Sequence, residues 1–259
     1  MVQGDYEEFK KSVFSLTKID LNAYKEKQMR RRIDSLVEKH EMKDYRSYMS
    51  ALRTDREIFD EFINFITINV SEFYRNPEEW KKMDQEYVPE LIKKFGQNLK
   101  IWSAACSTGD EPYSLVMCLS KHIPMNKIKI NATDLDKTVM AKAKVGLYAD
   151  KSVAGVPKEM KDKYFTKVGP SWQISDQIKS HVTFKEHNLL KDTYEKNYDL
   201  IVCRNVLIYF TEEAKADVFK KFSASLKSGA LLFIGSTEQI MNYKDIGLKR
   251  RSSFFYEKE

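Results

Sequence analysis

From residue 98 onward the sequence takes on a two-beat rhythm that constrains its fold more than any other feature. Short apolar runs at 99–105, 127–133, 181–186, 198–203 and 230–235 end in small, polar or acidic residues. Between them, residues 113–119, 137–145 and 211–227 have helical period, the last with Ser228-Gly229 as its stop. Residues 248–257 read as further strand. Strands alternating with helices make βα units. The expected fold is therefore α/β, a doubly wound, mostly parallel sheet. Residues 146–180 interrupt the alternation with Gly146, Gly155, Pro157, Gly169, Pro170 and Trp172, and read as an inserted small antiparallel subdomain.

The first 76 residues lack this rhythm and read as all-helical. Asp20 is placed to cap a helix whose apolar positions are Leu21, Met29, Ile33, Leu36 and Val37. Lys27, Arg30 and Arg31 fall on its opposite side. Residues 25–32 hold Lys25, Lys27, Arg30, Arg31 and Arg32 against Glu26 alone, although residues 1–76 carry 14 basic and 14 acidic groups in all. Two readings stand: an ordinary solvated face, or a docking face for an acidic partner. Residues 52–70 suggest another helix, with Ile58, Phe59, Phe62, Ile63, Phe65 and Ile66 apolar. Asn76-Pro77 breaks the pattern, and a helix resumes over 78–95. The expected organisation is a helical domain over 1–76, a linker helix over 77–97 and an α/β domain over 98–259.

Composition removes several classes. A chain of 259 residues can hold one large domain, or one medium and one small. Aromatics at 12% argue against disorder. The longest apolar runs are about five residues, where a membrane helix needs about 20. The start has no basic region followed by an apolar core, so no signal peptide is expected and the cytoplasm is the default location. Cys106, Cys118 and Cys203 are far apart, which suits reduced, structural thiols, and no metal-ligand spacing is present. A net charge of +6 fits nucleic-acid binding and many ordinary enzymes alike.

In an open parallel sheet, ligands bind beyond the carboxyl ends of the strands. The first such end, Ser103 to Glu111, has one glycine, Gly109, followed by two acids. It lacks the G-x-G-x-x-G that admits a pyrophosphate, which Asp110 and Glu111 would in any case repel. The second strand ends at Asp134, an acid able to accept both hydroxyls of a ribose, or else to cap the next helix, a role open also to Asp136. S-adenosylmethionine suits this layout. It has a ribose, an adenine, a sulfonium cation and an amino-acid head, and no phosphate.

The same residues resemble a known family. The run from Trp102 to Ser114, the run from Thr133 to Asp136 and the run from Cys203 to Phe210 are similar to segments of the chemotaxis receptor glutamate methyltransferases (CheR). So is Asn69 to Arg75, which resembles that family's passage from helical to catalytic domain. The resemblance spans most of the chain. It implies a Rossmann-like class I methyltransferase fold and methyl transfer from S-adenosylmethionine to glutamate side chains on the cytoplasmic helices of chemoreceptors. S-adenosylhomocysteine would be the product. It implies a cofactor site lined by Asn69, Ser71, Arg75, Glu111, Asp134, Asn188, Leu189, Arg204 and Asn205. Arg75 and Tyr209 would lie nearest the reacting groups. Lys27, Arg30 and Arg31 would meet the acidic receptor. No metal, no nucleic acid and no membrane insertion are expected, and the protein is expected to act as a monomer. Residue 110 is Asp where many members have Glu. Whether the 146–180 insertion grips a receptor tail peptide, as in some members, stays open.

The chemistry agrees with the absence of a nucleophilic triad. A glutamate carboxylate, with a pKa of about 4.3, is already ionised at neutral pH and needs no general base. Rival readings have less behind them. An exocyclic-amine nucleic-acid methyltransferase would carry an Asn or Asp followed by two prolines and an aromatic, which is absent. Cys203 follows Val202, not the Pro expected before a cytosine-C5 nucleophile. A docking adaptor with a relic cofactor fold would be expected to lose Glu111 and Asp134, and both are present.

Overall fold

A computed structural model describes residues 4–67, 71–235 and 237–259. These form two compact units, one of 4–67 with 207–216, the other of 71–206 with 217–259. The first is helical. Asp5 caps α1 (Tyr6–Thr17), its carboxylate accepting from the Glu7 and Glu8 amides at 2.8 and 3.2 Å. The helix expected to start at Leu21 instead starts at Glu26, as α2 (Glu26–Lys39). Asp20 caps only a three-residue turn, Leu21–Ala23. Helix cannot continue because Tyr24 is extended and forms a bridge with Phe210. Their rings meet edge-on at 5.0 Å. The Lys25 amide donates to the Tyr209 carbonyl at 2.9 Å.

The helix expected over 52–70 is likewise two, α3 (Tyr45–Thr54) and α4 (Arg56–Thr67). Asp55 is extended, and its carboxylate accepts from the Glu57 and Ile58 amides, so it ends one helix and caps the next. The core of this unit is aromatic. Phe9 packs on Tyr45, Tyr48 and Phe62 at 5.1, 6.4 and 6.4 Å, beside buried Val13, Ile33 and Leu36.

The second unit begins with one helical run, α5 (Pro77–Lys82), a wider turn over Met83–Tyr87 and α6 (Val88–Phe95). It buries Trp80, Met83, Tyr87, Val88 and Leu91 in this unit's core. The chain then lays down β1 (Ile101–Ala104), α7 (Asp110–Leu119), β2 (Ile130–Asp134) and α8 (Lys137–Val145). The insertion follows, with β3 (Leu147–Ala149), α9 (Lys158–Tyr164), β4 (Phe165–Val168), β5 (Ser171–Ile174) and α10 (Asp176–Lys179). Its strands form a separate antiparallel sheet, β3-β5-β4, as the sequence predicts. Then come β6 (Val182–Glu186), β7 (Tyr198–Cys203), α11 (Glu212–Ser225), β8 (Leu226–Ile234), β9 (Leu248–Arg250) and β10 (Phe255–Lys258).

The main sheet has the order β6-β2-β1-β7-β8-β10-β9. Pairing is parallel from β6 to β8, and β10 runs antiparallel to both its neighbours. This is the doubly wound Rossmann-like sheet expected from the alternation. Every residue of β7 is buried, which is why that segment reads as an unbroken apolar run around one acid. Two details differ from expectation. Ser228-Gly229 is not a helix stop but lies inside β8, where Gly229, at φ 77°, accompanies a register shift against β7. Residues 248–257 are a hairpin rather than one strand. The chain order reverses between β1 and β7, so the ligand crevice is expected outside the carboxyl ends of β1, β2 and β7.

Candidate functional site

The loop after β1 is held in a shape few sequences allow. Ala105, Ser107 and Gly109 all have left-handed backbone, at φ 63°, 47° and 87°. A Cβ on Gly109 would lie 2.8 Å from the Ala143 Cβ on α8, so only glycine fits where α7 begins. α7 starts at Asp110, which puts Pro112 third in its first turn, not first as expected, where its missing N–H still costs no helical bond.

The two acids of this turn divide. Asp110 is fully buried, accepts from the Thr108 hydroxyl at 2.5 Å and is hydrogen-bonded to Ser71. Burial pushes its carboxyl above the usual range. Ser114, one turn on, donates to the Asp110 carbonyl and accepts from the Tyr74 amide, so α7 holds the 71–76 segment. Glu111 accepts from the buried Ser103 hydroxyl at 2.8 Å. Burial pushes it up to about 7, against the opposing pull of Arg204 and Arg75.

Asp134 closes β2 and is buried. Its carboxylate accepts from the Ser107 amide at 2.7 Å and the Asp136 amide at 2.9 Å, joining the β1 loop to the β2 loop. Burial raises it to about 6. The cap of α8 is Asp136, which accepts from the Thr138 and Val139 amides, so Asp134 is spared that task. Each Asp134 oxygen retains a lone pair for a hydroxyl donor.

At the end of β7, the buried Arg204 donates to the Arg75 carbonyl at 2.8 Å and to the Asn76 Oδ1 at 2.7 Å, over the Phe233 ring. Its Nε is buried without a hydrogen-bond partner among the described residues, as is the Oδ1 of Asn205. Asn205 is left-handed at φ 61°. Arg204 and Arg75 lie near enough to Glu111 to oppose its upward shift, and Glu111 in turn opposes the lowering that burial imposes on Arg204. Asn188, at the end of β6, makes a local turn in which its Oδ1 accepts from the Leu190 amide at 3.0 Å, and Leu189 is buried. His187 donates its amide to the Asp134 carbonyl, tying that loop to β2. Asn69 lies outside the described residues. Tyr209 belongs to the other unit, in the turn Leu207–Tyr209.

The basic helix is less uniform than its spacing suggests. Lys27 and Arg31 are exposed. Arg30 is half-buried, stacked 5.1 Å from the Tyr6 ring, with Tyr45 raising its pKa. Sequence reasoning missed Glu238, a buried acid in the loop after β8, and the Ser103 hydroxyl under Glu111. The signal that marks Asp134, an acid just past an apolar run, also fits Glu238, three residues beyond Gly235. All three cysteines are buried and form no disulfide. Among the described residues no three His, Cys, Asp or Glu are grouped to hold a metal, and no helix is long and apolar enough to cross a membrane.

The orphaned donor on Arg204 and orphaned acceptor on Asn205, beside two raised carboxylates, fit a ligand that has both an ammonium and a carboxylate and also offers hydroxyls. S-adenosylmethionine is such a ligand. Comparison with known proteins agrees. Residues 69–253 match the family described as CheR methyltransferase, SAM binding domain, and residues 4–67 its all-alpha domain. The chain is 40% identical over 255 residues to a chemotaxis protein methyltransferase of Listeria monocytogenes, covering 98% of this chain and 97% of that one. It is 34% identical over 254 residues to chemotaxis protein methyltransferase 1 of Pseudomonas aeruginosa, covering 93% and 92%. A chemotaxis protein methyltransferase of Borreliella burgdorferi is 32% identical over 249 residues, covering 91% and 88%. A doubly wound sheet with polar groups gathered at its switch point, behind an all-helical leading segment, and matches over both parts lead to one assignment: the chain belongs to the CheR methyltransferase family.

Proposed function

We propose that this protein moves a methyl group from S-adenosylmethionine to glutamate side-chain carboxylates of chemoreceptors, giving glutamate methyl esters, with S-adenosylhomocysteine as the other product. The observation that carries the reading is the set of four polar residues at the carboxyl ends of β1, β2 and β7. Glu111, Asp134, Arg204 and Asn205 offer groups complementary to the ribose, amino and carboxylate groups of that cofactor, and two of their atoms are buried without a partner among the described residues. The relatives are named for chemotaxis, which supports a receptor as the acceptor.

Asp134 would accept from the ribose hydroxyls. Glu111 and the Asn205 amide oxygen would take the amino group, and Arg204 or Arg75 the carboxylate, for which a planar guanidinium is suited. Asn188, Leu189 and Ser71 would line the rest of the cofactor site, a role the family resemblance extends to Asn69. The cofactor supplies a methyl already activated by its sulfonium. The acceptor carboxylate arrives ionised, so the residues have only to hold oxygen, methyl carbon and sulfur in line. Positioning of this kind can supply roughly 7–11 kcal/mol. We assign Arg75 and Tyr209 to orienting the acceptor, and Lys27 and Arg31, with a lesser share for Arg30, to meeting the acidic receptor surface.

The test uses methyl-labelled S-adenosylmethionine, purified protein and membranes bearing chemoreceptors. Label in the receptor band that mild alkali releases as methanol is the expected result. Label that resists alkali, or label in added nucleic acid instead, overturns the proposed acceptor.

A further inference from the structure

Glu238 lies in the loop after β8 and is 1% exposed. Both its oxygens accept from backbone. Oε1 accepts from the Val206 amide at 2.8 Å, and Oε2 from the amides of Asn205 and Gly235 at 2.7 and 2.8 Å. One carboxylate thus clamps the loops that leave two neighbouring parallel strands. The clamp acts beyond the sheet, since the last paired residues of those strands are Cys203 and Ile234. Hydrogen bonds to an ionised acceptor are roughly twice as strong as neutral ones.

Two further features show that the clamp shapes Asn205 in particular. Asn205 is held in left-handed backbone, and its amide oxygen is buried with no partner among the described residues. A Cβ at Gly235 would lie 2.5 Å from the Glu238 Oε2, 2.9 Å from the Asn205 amide nitrogen and 3.1 Å from the Asn205 Nδ2. The three residues therefore fit only with glycine at 235. Strained backbone and an unsatisfied buried acceptor persist where the surroundings impose them, and they gather at ligand sites.

We propose that Glu238 is a positioning residue for the methyl-donor site. Without touching the cofactor, it fixes Asn205 so that the amide oxygen accepts from the cofactor's amino group. The inference rests on the cofactor reading above. It adds to the site a residue of the fifth parallel strand's loop and a glycine that the clamp requires.

Calorimetry with S-adenosylhomocysteine tests it on the wild type, Glu238→Gln, Asn205→Gly and the double variant, with Tm and near-UV dichroism measured for each. Glutamine sets an NH2 group against backbone donors. Glycine at 205 keeps the left-handed backbone and its N–H while removing only the amide. Each single variant should bind about tenfold more weakly or worse, the loss expected from one misplaced hydrogen-bonding group. The double variant should be no weaker than the weaker single, because both act through one amide. Wild-type affinity in Glu238→Gln, whatever its Tm, overturns the proposal. Losses that multiply in the double variant also overturn it. Should Glu238→Gln fail to fold, Gly235→Ala displaces the same clamp, and wild-type affinity there overturns it equally. A wild-type protein that binds no S-adenosylhomocysteine brings down the cofactor reading itself, a result distinct from variants that bind as well as the wild type.

Discussion

Glu111 and Asp134 share a property that makes the site sensitive to pH. Burial raises the first to about 7 and the second to about 6, from ordinary values of 4.5 and 3.8. Both shifts run opposite to those of salt-bridged carboxylates. In each case the folded protein holds a proton that the unfolded chain has already released. The contribution of these two groups to folding stability is therefore greatest below the ordinary values and is lost as pH rises through about 6 and about 7. Cofactor binding runs the other way, because an amino group and ribose hydroxyls need ionised acceptors. Affinity for S-adenosylhomocysteine should be level above pH ~8 and weaken by up to about tenfold per unit once Glu111 is protonated. Binding near neutral pH should release protons, measurable by calorimetry in buffers of different ionisation heat. Glu111→Gln should bind weakly at pH ~8 and lose the slope between about 6 and 8, leaving only the fall due to Asp134. A Glu111→Gln profile parallel to the wild type would show that this carboxylate does not titrate against the ligand.

Among the elements, the start of α8 separates two neighbouring acids that a sequence cannot tell apart by type. Asp136 accepts from the first amides of α8, while Asp134 bridges two loops. Asp136→Ala should cost about 1 kcal/mol of stability, the worth of a cap, and leave cofactor affinity within about twofold. Asp134→Ala should abolish measurable S-adenosylhomocysteine binding at micromolar ligand. Equal affinities for the two variants would return Asp134 to a merely local role. The strand ends were legible because an acid beyond an apolar run is itself a sequence pattern, and β7 and α8 lie where period alone puts them. Element boundaries were less so. A cap residue announces a helix without its length, and Asp20 caps a single turn because Tyr24 is taken by Phe210, far away in sequence. Gly229 looks like a stop, yet it is the irregular residue of a longer strand. Glu238 carries the same acid-after-strand signal as Asp134, but its clamping role was not legible because its partners are backbone amides, which carry no residue signature.

At the scale of the whole molecule, the four residues proposed to hold the cofactor and the basic residues proposed to meet the receptor belong to different compact units. Glu111, Asp134, Arg204 and Asn205 lie in the second, and Lys27, Arg30 and Arg31 lie on α2 of the first. Receptor recognition and cofactor binding should therefore be separable by mutation. The structure also ranks the basic residues. Lys27 and Arg31 are exposed, so reversing them removes charge and little packing. Arg30 stacks on Tyr6, so Arg30→Glu removes a cation–π contact worth about 0.5–2 kcal/mol in addition to the charge. Lys27→Glu with Arg31→Glu should lower kcat/KM for receptor methylation about tenfold or more at low salt, with Tm and S-adenosylhomocysteine affinity unchanged. Salt gives the decisive control, since exposed charges separated by more than about 8 Å are screened at physiological ionic strength. The wild-type rate should fall as salt rises, and the double reversal should flatten that dependence. Arg30→Glu should differ in kind, losing Tm as well as receptor activity. If the Lys27→Glu and Arg31→Glu protein methylates receptors at the wild-type rate across the salt series, the basic face is a solvated surface and acceptor recognition must be sought elsewhere in the molecule.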